Sequence, residues 1–202
     1  MKALKLTVAT LVLAVTACSP KTNLSKPNTP APATESKSQQ GEVNNKEAEK
    51  YVNSGIERGK KGDYQGAIAD FTKAIEINPN YAIAYNNRGA IRSELKDYQG
   101  AIADLTKAIE VNPSYANAYY NRGIARRRLK DYQGAIADYT KAIEINPNLA
   151  DAYHNRGLAR AFSEDKAGAI ADLQKSAELF EKQGRKAEAQ KVLQIITRLK
   201  NL

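Results

Sequence analysis

Asp97 to Lys130 reads DYQGAIADLTKAIEVNPSYANAYYNRGIARRRLK. The same 34-residue sentence stands before it, from Asp63 to Lys96, and again after it, from Asp131 to Glu164. DYQGAIAD is letter-identical at 63–70, 97–104 and 131–138, and TKAIE recurs at 72–76, 106–110 and 140–144. A period held this strictly, without insertions, marks a repeat array and decides the fold before any other argument. One unit has two amphipathic halves that it cannot bury alone; stacked units bury them in a continuous core.

Each unit predicts two helices. Helix B starts after Asp97, whose carboxylate can cap the free amides of the first turn. Its apolar stripe is Ala101, Ile102, Leu105, Ala108 and Ile109, at helical spacing. It stops at Asn112-Pro113, because the residue before a proline is pushed out of the α region. Helix A of the next unit runs from about Tyr115 to Leu129. Its Gly123 costs ~1 kcal/mol against alanine inside a helix. The same cost recurs at Gly55, Gly89 and Gly157, so close contact with Ala67, Ala101, Ala135 and Ala169 is the expected compensation.

A 34-residue helix-turn-helix unit with Gly at the eighth place, Ala at the twentieth and twenty-seventh, and Pro at the thirty-second resembles the tetratricopeptide repeat (TPR). In that frame the repeats are 48–81, 82–115, 116–149 and 150–183. The family's usual Trp at the fourth place is Tyr51, Tyr85, Tyr119 and Tyr153; its usual Leu at the seventh is Ser54, Arg88, Arg122 and Arg156. The resemblance implies an all-α, right-handed superhelical array of four helix pairs, with a concave groove lined by the A helices that binds peptides or proteins.

Outside the repeats the composition changes. Residues 1–17 carry Lys2 and Lys5, then a short apolar run from Leu6 to Val15, and read as a signal peptide too short for a spanning helix of about 20 residues. The chain's one cysteine, Cys18, follows at the cleavage point, and Val15-Thr16-Ala17-Cys18 resembles a bacterial lipobox. Either Cys18 takes a lipid there, or cleavage is ordinary and the cysteine incidental; a lone exported thiol favours the lipid. Ser19 after it points, by analogy, to the outer membrane. Residues 18–46 are rich in Pro, Ser, Thr, Asn and Lys, with only Leu24 and Val43 as larger apolar residues, and read as a disordered tether of about 30 Å mean span. Residues 47–202 are then the folded domain. In the fourth repeat Glu181 replaces the terminating proline, so helix B is expected to run on to Gly184. Residues 185–201, with Val192, Ile195, Ile196 and Leu199 on one stripe, read as a capping helix, giving nine helices in all.

No enzyme constellation is present. There is one histidine and one cysteine, and no glycine-rich phosphate loop or metal-binding spacing. His154 beside Asp151 reads as a surface pair rather than a metal site. No cofactor and no small-molecule substrate is expected. The net charge of +9, from 31 basic and 22 acidic residues, allows anionic partners, but most Lys and Arg read as solvated helix faces. A nucleic-acid role for Arg126-Arg127-Arg128 conflicts with the export signal. The arginines do suggest one structure. Arg88, Arg122 and Arg156, with Arg58, Arg92, Arg126 and Arg160 a turn further on, face a recurring Asp70, Asp104, Asp138 and Asp172. They form either a repeated bidentate ladder or separate solvated charges.

The resemblance also draws the groove. Asn53, Asn87, Asn121 and Asn155 fall at the sixth place, where an amide can bond an extended peptide or satisfy a neighbouring helix end. Asn86, Tyr120, Arg127, Arg128, His154, Leu158 and Phe162 complete the expected site, with Tyr120 and Phe162 alternatively filling gaps in the core. The basic residues with which chaperone-binding members hold a C-terminal carboxylate are missing; Val52, Ile56, Asn87, Asn117 and Asn121 stand there. Two function classes follow: a lipid-anchored adaptor that assembles an envelope complex through the groove, or a basic surface module for anionic lipid or cell-wall polymer.

Overall fold

The computed structural model describes residues 24–26 and 39–201. The described residues form nine α-helices and no strand: α1 (Gln39–Lys60), α2 (Tyr64–Ile77), α3 (Ala82–Glu94), α4 (Tyr98–Val111), α5 (Ala116–Arg128), α6 (Tyr132–Ile145), α7 (Ala150–Phe162), α8 (Lys166–Lys182) and α9 (Lys186–Lys200). The fold is thus an all-α array of helix pairs. None of the described helices is long and apolar enough to cross a membrane. Residues 1–17, read from sequence as a signal peptide, and Cys18 lie outside the described residues.

The start of the fold corrects the sequence reading. α1 begins at Gln39, inside the stretch 18–46 that composition marks as tether. Gln, Glu and Lys there are good helix formers, and they extend a helix already anchored by the buried Ala48, Val52 and Ile56. Residues 24–26 are also placed, against the folded domain rather than away from it.

Two compact units make up the chain, Thr22–Ala125 and Arg126–Leu202. In the N-terminal unit, Ala48, Val52, Ile56, Phe71, Ala74 and Ile91 pack as one cluster, and Ala101, Leu105 and Ala125 as another. In the C-terminal unit, Leu158, Leu173 and Phe180 meet Val192, Ile195, Ile196 and Leu199, so the stripe on α9 covers the last helix pair.

Local signals act as the residues dictate. The carboxylates of Asp63, Asp97, Asp131 and Asp165 accept the amides of Gly66, Gly100, Gly134 and Gly168 at 2.9–3.0 Å. Asn78, Asn112 and Asn146 are extended, with φ −133, −137 and −134°, because a proline follows each. Without that proline, α8 reaches 17 residues against 14 in α2 and stops before Gly184 at φ +75°. Each A helix of the repeats ends on one left-handed residue: Gly62, then Lys96, Lys130 and Glu164 at φ 64–67°. The next amide closes the last turn, as Asp97 N–H does on the Arg92 carbonyl at 2.9 Å.

The helical glycines differ from expectation in their partner. A Cβ on Gly89 would lie 2.8 Å from Leu105 Cγ and 3.1 Å from the Ala101 carbonyl oxygen. Gly157 meets Leu173 and the Ala169 carbonyl in the same way, and Gly55 meets the Phe71 ring at 2.7 Å. The alanine brings its backbone close, and the large residue four places on fills the space.

Candidate peptide groove

The arginine ladder is present, and it fixes how the A helices stand. Arg88 holds Asp104 by two bonds, Nε to Oδ2 at 2.9 Å and Nη2 to Oδ1 at 2.7 Å, while Arg92 Nη1 donates to Oδ2 at 2.8 Å. Arg156 and Arg160 repeat this on Asp172, and Arg126 Nη1 donates to Asp138 at 2.8 Å. In the first repeat Ser54 and Arg58 hold Asp70 instead, at 2.7 and 3.0 Å. Asp104, Asp138 and Asp172 are buried, and the bidentate geometry explains why arginine serves there. The third guanidinium nitrogen reaches the preceding repeat: Arg88, Arg122 and Arg156 donate to Thr72, Thr106 and Thr140, each at 3.0 Å. Each of these arginines also lies over the tyrosine of its own helix, 5.5–5.8 Å from the ring centre. Tyrosine at the fourth place and arginine at the seventh are therefore one device.

In the N-terminal unit a line of amides crosses the A-helix face. Asn86 and Asn87 are fully buried, 0 % exposed, and Asn121 is nearly so. Asn121 Nδ2 donates to Asn86 Oδ1 at 3.0 Å, and Asn86 Nδ2 donates to Asn87 Oδ1 at 3.1 Å. The outermost amide, Asn87, then reads main chain in both directions. Its Oδ1 accepts from Ser25 N–H and its Nδ2 donates to the Ser25 carbonyl, both at 2.9 Å. Asn117 Nδ2 donates to Ser25 Oγ at 2.8 Å. Leu24 packs on the apolar cluster of this unit, and a Cβ on Gly59 would stand 3.4 Å from its Cδ1. Burial pushes the Tyr115 hydroxyl up to about 12, with Ser25 beside it acting the other way.

The remaining site residues divide by burial. Asn53 is exposed on α1, and Tyr120 is buried at 6 % exposure in the N-terminal unit. In the C-terminal unit Leu158 belongs to the core, and Phe162 packs against that core while stacking on Tyr132 at 4.9 Å. Asn155 is buried, Arg128 is exposed and Arg127 is half-buried. Arg127 Nε and His154 Nδ1 are both enclosed and lack a hydrogen-bond partner among the described residues. Burial pulls His154 down to about 4; Asp151 opposes this, and Arg127 and Arg185 add to it. Asp151 does not form the surface pair with His154 expected from sequence. It is taken by Arg185, Nη1 to Oδ2 at 2.7 Å. Gly59 falls at an inward-facing place of the first repeat by family geometry; sequence reasoning missed that Leu24 and Ser25 dock on this face, and the signal was Leu24, an isolated apolar residue in polar surroundings.

These features define a class: a helical array of 34-residue repeats, on whose A-helix face one amide, Asn87, bonds main chain in both directions. Family models described as tetratricopeptide repeat match residues 82–115, 116–149 and 138–191, and one described as TPR repeat matches 58–96. The chain belongs to the tetratricopeptide repeat family. Among solved structures it is similar to the MamA RS-1 ArsTM double mutant (27 % identity, TM-score 0.61, covering 67 % of this chain and 76 % of that one). It is similar to the first TPR of Spaghetti (RPAP3) bound to the HSP90 peptide SRMEEVD (30 %, 0.57, 61 % and 95 %). It is also similar to the Arabidopsis OM64 TPR domain (32 %, 0.56, 58 % and 97 %). No curated protein matches.

Proposed function

We propose that this chain is a protein-interaction scaffold without enzymatic activity, held to a bacterial envelope membrane by a lipid on Cys18, whose A-helix face takes an extended peptide of a partner protein. The observation that carries the reading is the Asn87 amide, which makes both main-chain hydrogen bonds to one residue, Ser25, at 2.9 Å. A similar TPR domain of RPAP3 has been solved with a bound peptide, SRMEEVD. That peptide is acidic, and the lysines and arginines that hold a terminal carboxylate have no counterpart at Val52, Ile56, Asn87, Asn117 and Asn121, so the partner peptide is read through its main chain. The purely electrostatic alternative has less to offer. Arg88, Arg92, Arg126, Arg156 and Arg160 are each engaged with an aspartate rather than free for an anionic surface.

The test is site-directed photocrosslinking in the native membranes, with the crosslinker at Asn117 on the A-helix face or at exposed Ala103 on α4. The reading expects a discrete adduct from position 117 that survives 0.5 M salt. Adducts only from position 103, or adducts abolished by salt, refute it.

A further inference from the structure

Residues 24–26 lie ahead of the first helix, yet they are bound as a ligand would be. Three contacts come from three A helices: Gly59 of α1 under Leu24, Asn87 of α3 on the Ser25 main chain, and Asn117 of α5 on the Ser25 hydroxyl. We infer that Leu24-Ser25-Lys26 is a self-ligand, that it occupies the peptide site of the N-terminal unit in competition with the partner, and that the partner peptide carries the same pattern. This inference rests on the peptide-scaffold reading above and adds its ligand class and its regulation.

The pattern follows from what touches each residue. The first position is an apolar side chain, because Gly59 leaves room for Leu24 beside Ile91 and on the apolar cluster of this unit. The second has a free N–H and a small hydroxyl, because Asn87 accepts the one and Asn117 donates to the other. Proline is excluded there, since it has no N–H to give. The third is basic and exposed: Lys26 acts on the carboxylate of Glu57, which is itself pulled down first by Lys60. Lys26 and α1 belong to one chain, so the segment is presented to the site intramolecularly, at an effective concentration on the order of millimolar. A free peptide of ordinary affinity must displace it. A partner with a better fit, or itself held at the membrane, replaces it and releases the N-terminal segment.

The experiment uses fluorescein-labelled PKTNLSKPNTP, the sequence of residues 20–30, titrated into the full-length chain and followed by anisotropy. Ser25→Pro in the chain removes the N–H that Asn87 accepts and empties the site without touching a helix. The expected result is a Kd about tenfold lower for Ser25→Pro than for the parent, the factor that an internal competitor at about 1 mM gives when the peptide's own Kd is about 0.1 mM. The gain should vanish in Ser25→Pro with Asn117→Ala. Asn117 is chosen because it is half-buried, whereas loss of the buried Asn87 disturbs the core. Amide exchange gives an independent readout: the Ser25 N–H should be protected in the parent and measurably less protected in Asn117→Ala, which loses the hydroxyl contact while Asn87 still accepts the N–H. Equal affinity for parent and Ser25→Pro, still dependent on Asn117, overturns the self-ligand and leaves the peptide site standing. No binding to either chain, together with an unprotected Ser25 amide, overturns both.

Discussion

Removing the Asp104 carboxylate tests whether the ladder holds the array together or merely decorates it. Asp104 is 5 % exposed and accepts three bonds, two from Arg88 and one from Arg92. Bonds to charged groups contribute about 1.5–3 kcal/mol each, but the two guanidiniums regain some water when the acid is lost, at 14 % and 29 % side-chain exposure. The cost of Asp104→Ala is therefore set by Arg88 left without a carboxylate and Arg92 left with the longer pair to Asp97 at 3.8 Å, about 3–4 kcal/mol. Arg88→Ala leaves the acid with Arg92 and costs less, about 2–3 kcal/mol. The double variant should then cost well under the sum, with a coupling near 2 kcal/mol. Repeat arrays open locally, so the measurement is hydrogen exchange of α3 and α4 amides across a urea series, with a global melt alongside. A coupling under ~0.5 kcal/mol, with all three variants folded, would mean that these are solvated charges and that the ladder argument is wrong.

Four further outcomes are expected. Gly89→Ala gains ~1 kcal/mol of helix propensity but crowds Leu105 and the Ala101 carbonyl at ~1–3 kcal/mol, so the melting temperature should fall, and the substitution should cost less when made in a Leu105→Ala background, itself destabilised, than in the parent. Lys96, Lys130 and Glu164 hold left-handed backbone, so glycine at each should raise stability by ~0.5–1 kcal/mol, read as a higher urea midpoint; a drop at all three would contradict the strain. His154 binds its proton at about 4 when folded and near 6.5 when unfolded, so the unfolded chain takes up more protons as pH falls through that window. Stability should decline from about pH 6.5 to 4 by at most ~3 kcal/mol relative to His154→Gln, and parallel curves for the two chains would exclude the effect. Cys18→Ser should abolish labelling by a fatty-acid probe and release the protein from the membrane; unchanged membrane partition would rule the lipid anchor out.

How much of this was legible depended on whether the signal was local. The 34-residue period, the aspartate caps and the Asn-Pro stops act through neighbours in sequence, and the helices follow them closely. The ladder was visible because arginine displaced the family's leucine at one place while aspartate recurred at another. The left-handed residues were hidden, since only Gly62 carries the expected glycine; at Lys96, Lys130 and Glu164 the tertiary fit imposes the turn on residues that resist it. Tyr120 and Leu158 fall at groove places by family geometry but are buried, because exposure depends on the packing of neighbouring helices and not on place number. The docking of Ser25 joins residues 62 positions apart from Asn87, a separation at which no periodicity speaks.

The near-identity of the repeats carries a hazard for folding. Arg88 finds Thr72 and Asp104, and Arg156 finds Thr140 and Asp172, through the same atoms at the same distances. An A helix that docks on the wrong neighbour satisfies every one of those bonds and strands a helix pair elsewhere. Such register errors are a characteristic failure of repeat chains. The ends of the array break the degeneracy. Ser54 stands where the later repeats have arginine, and α8 and α9 bury a stripe that no internal repeat possesses. Correct alignment is thus specified from the two termini inward, and making the end repeats conform to the internal consensus should produce a mixture of misaligned and domain-swapped species rather than a better-folded protein.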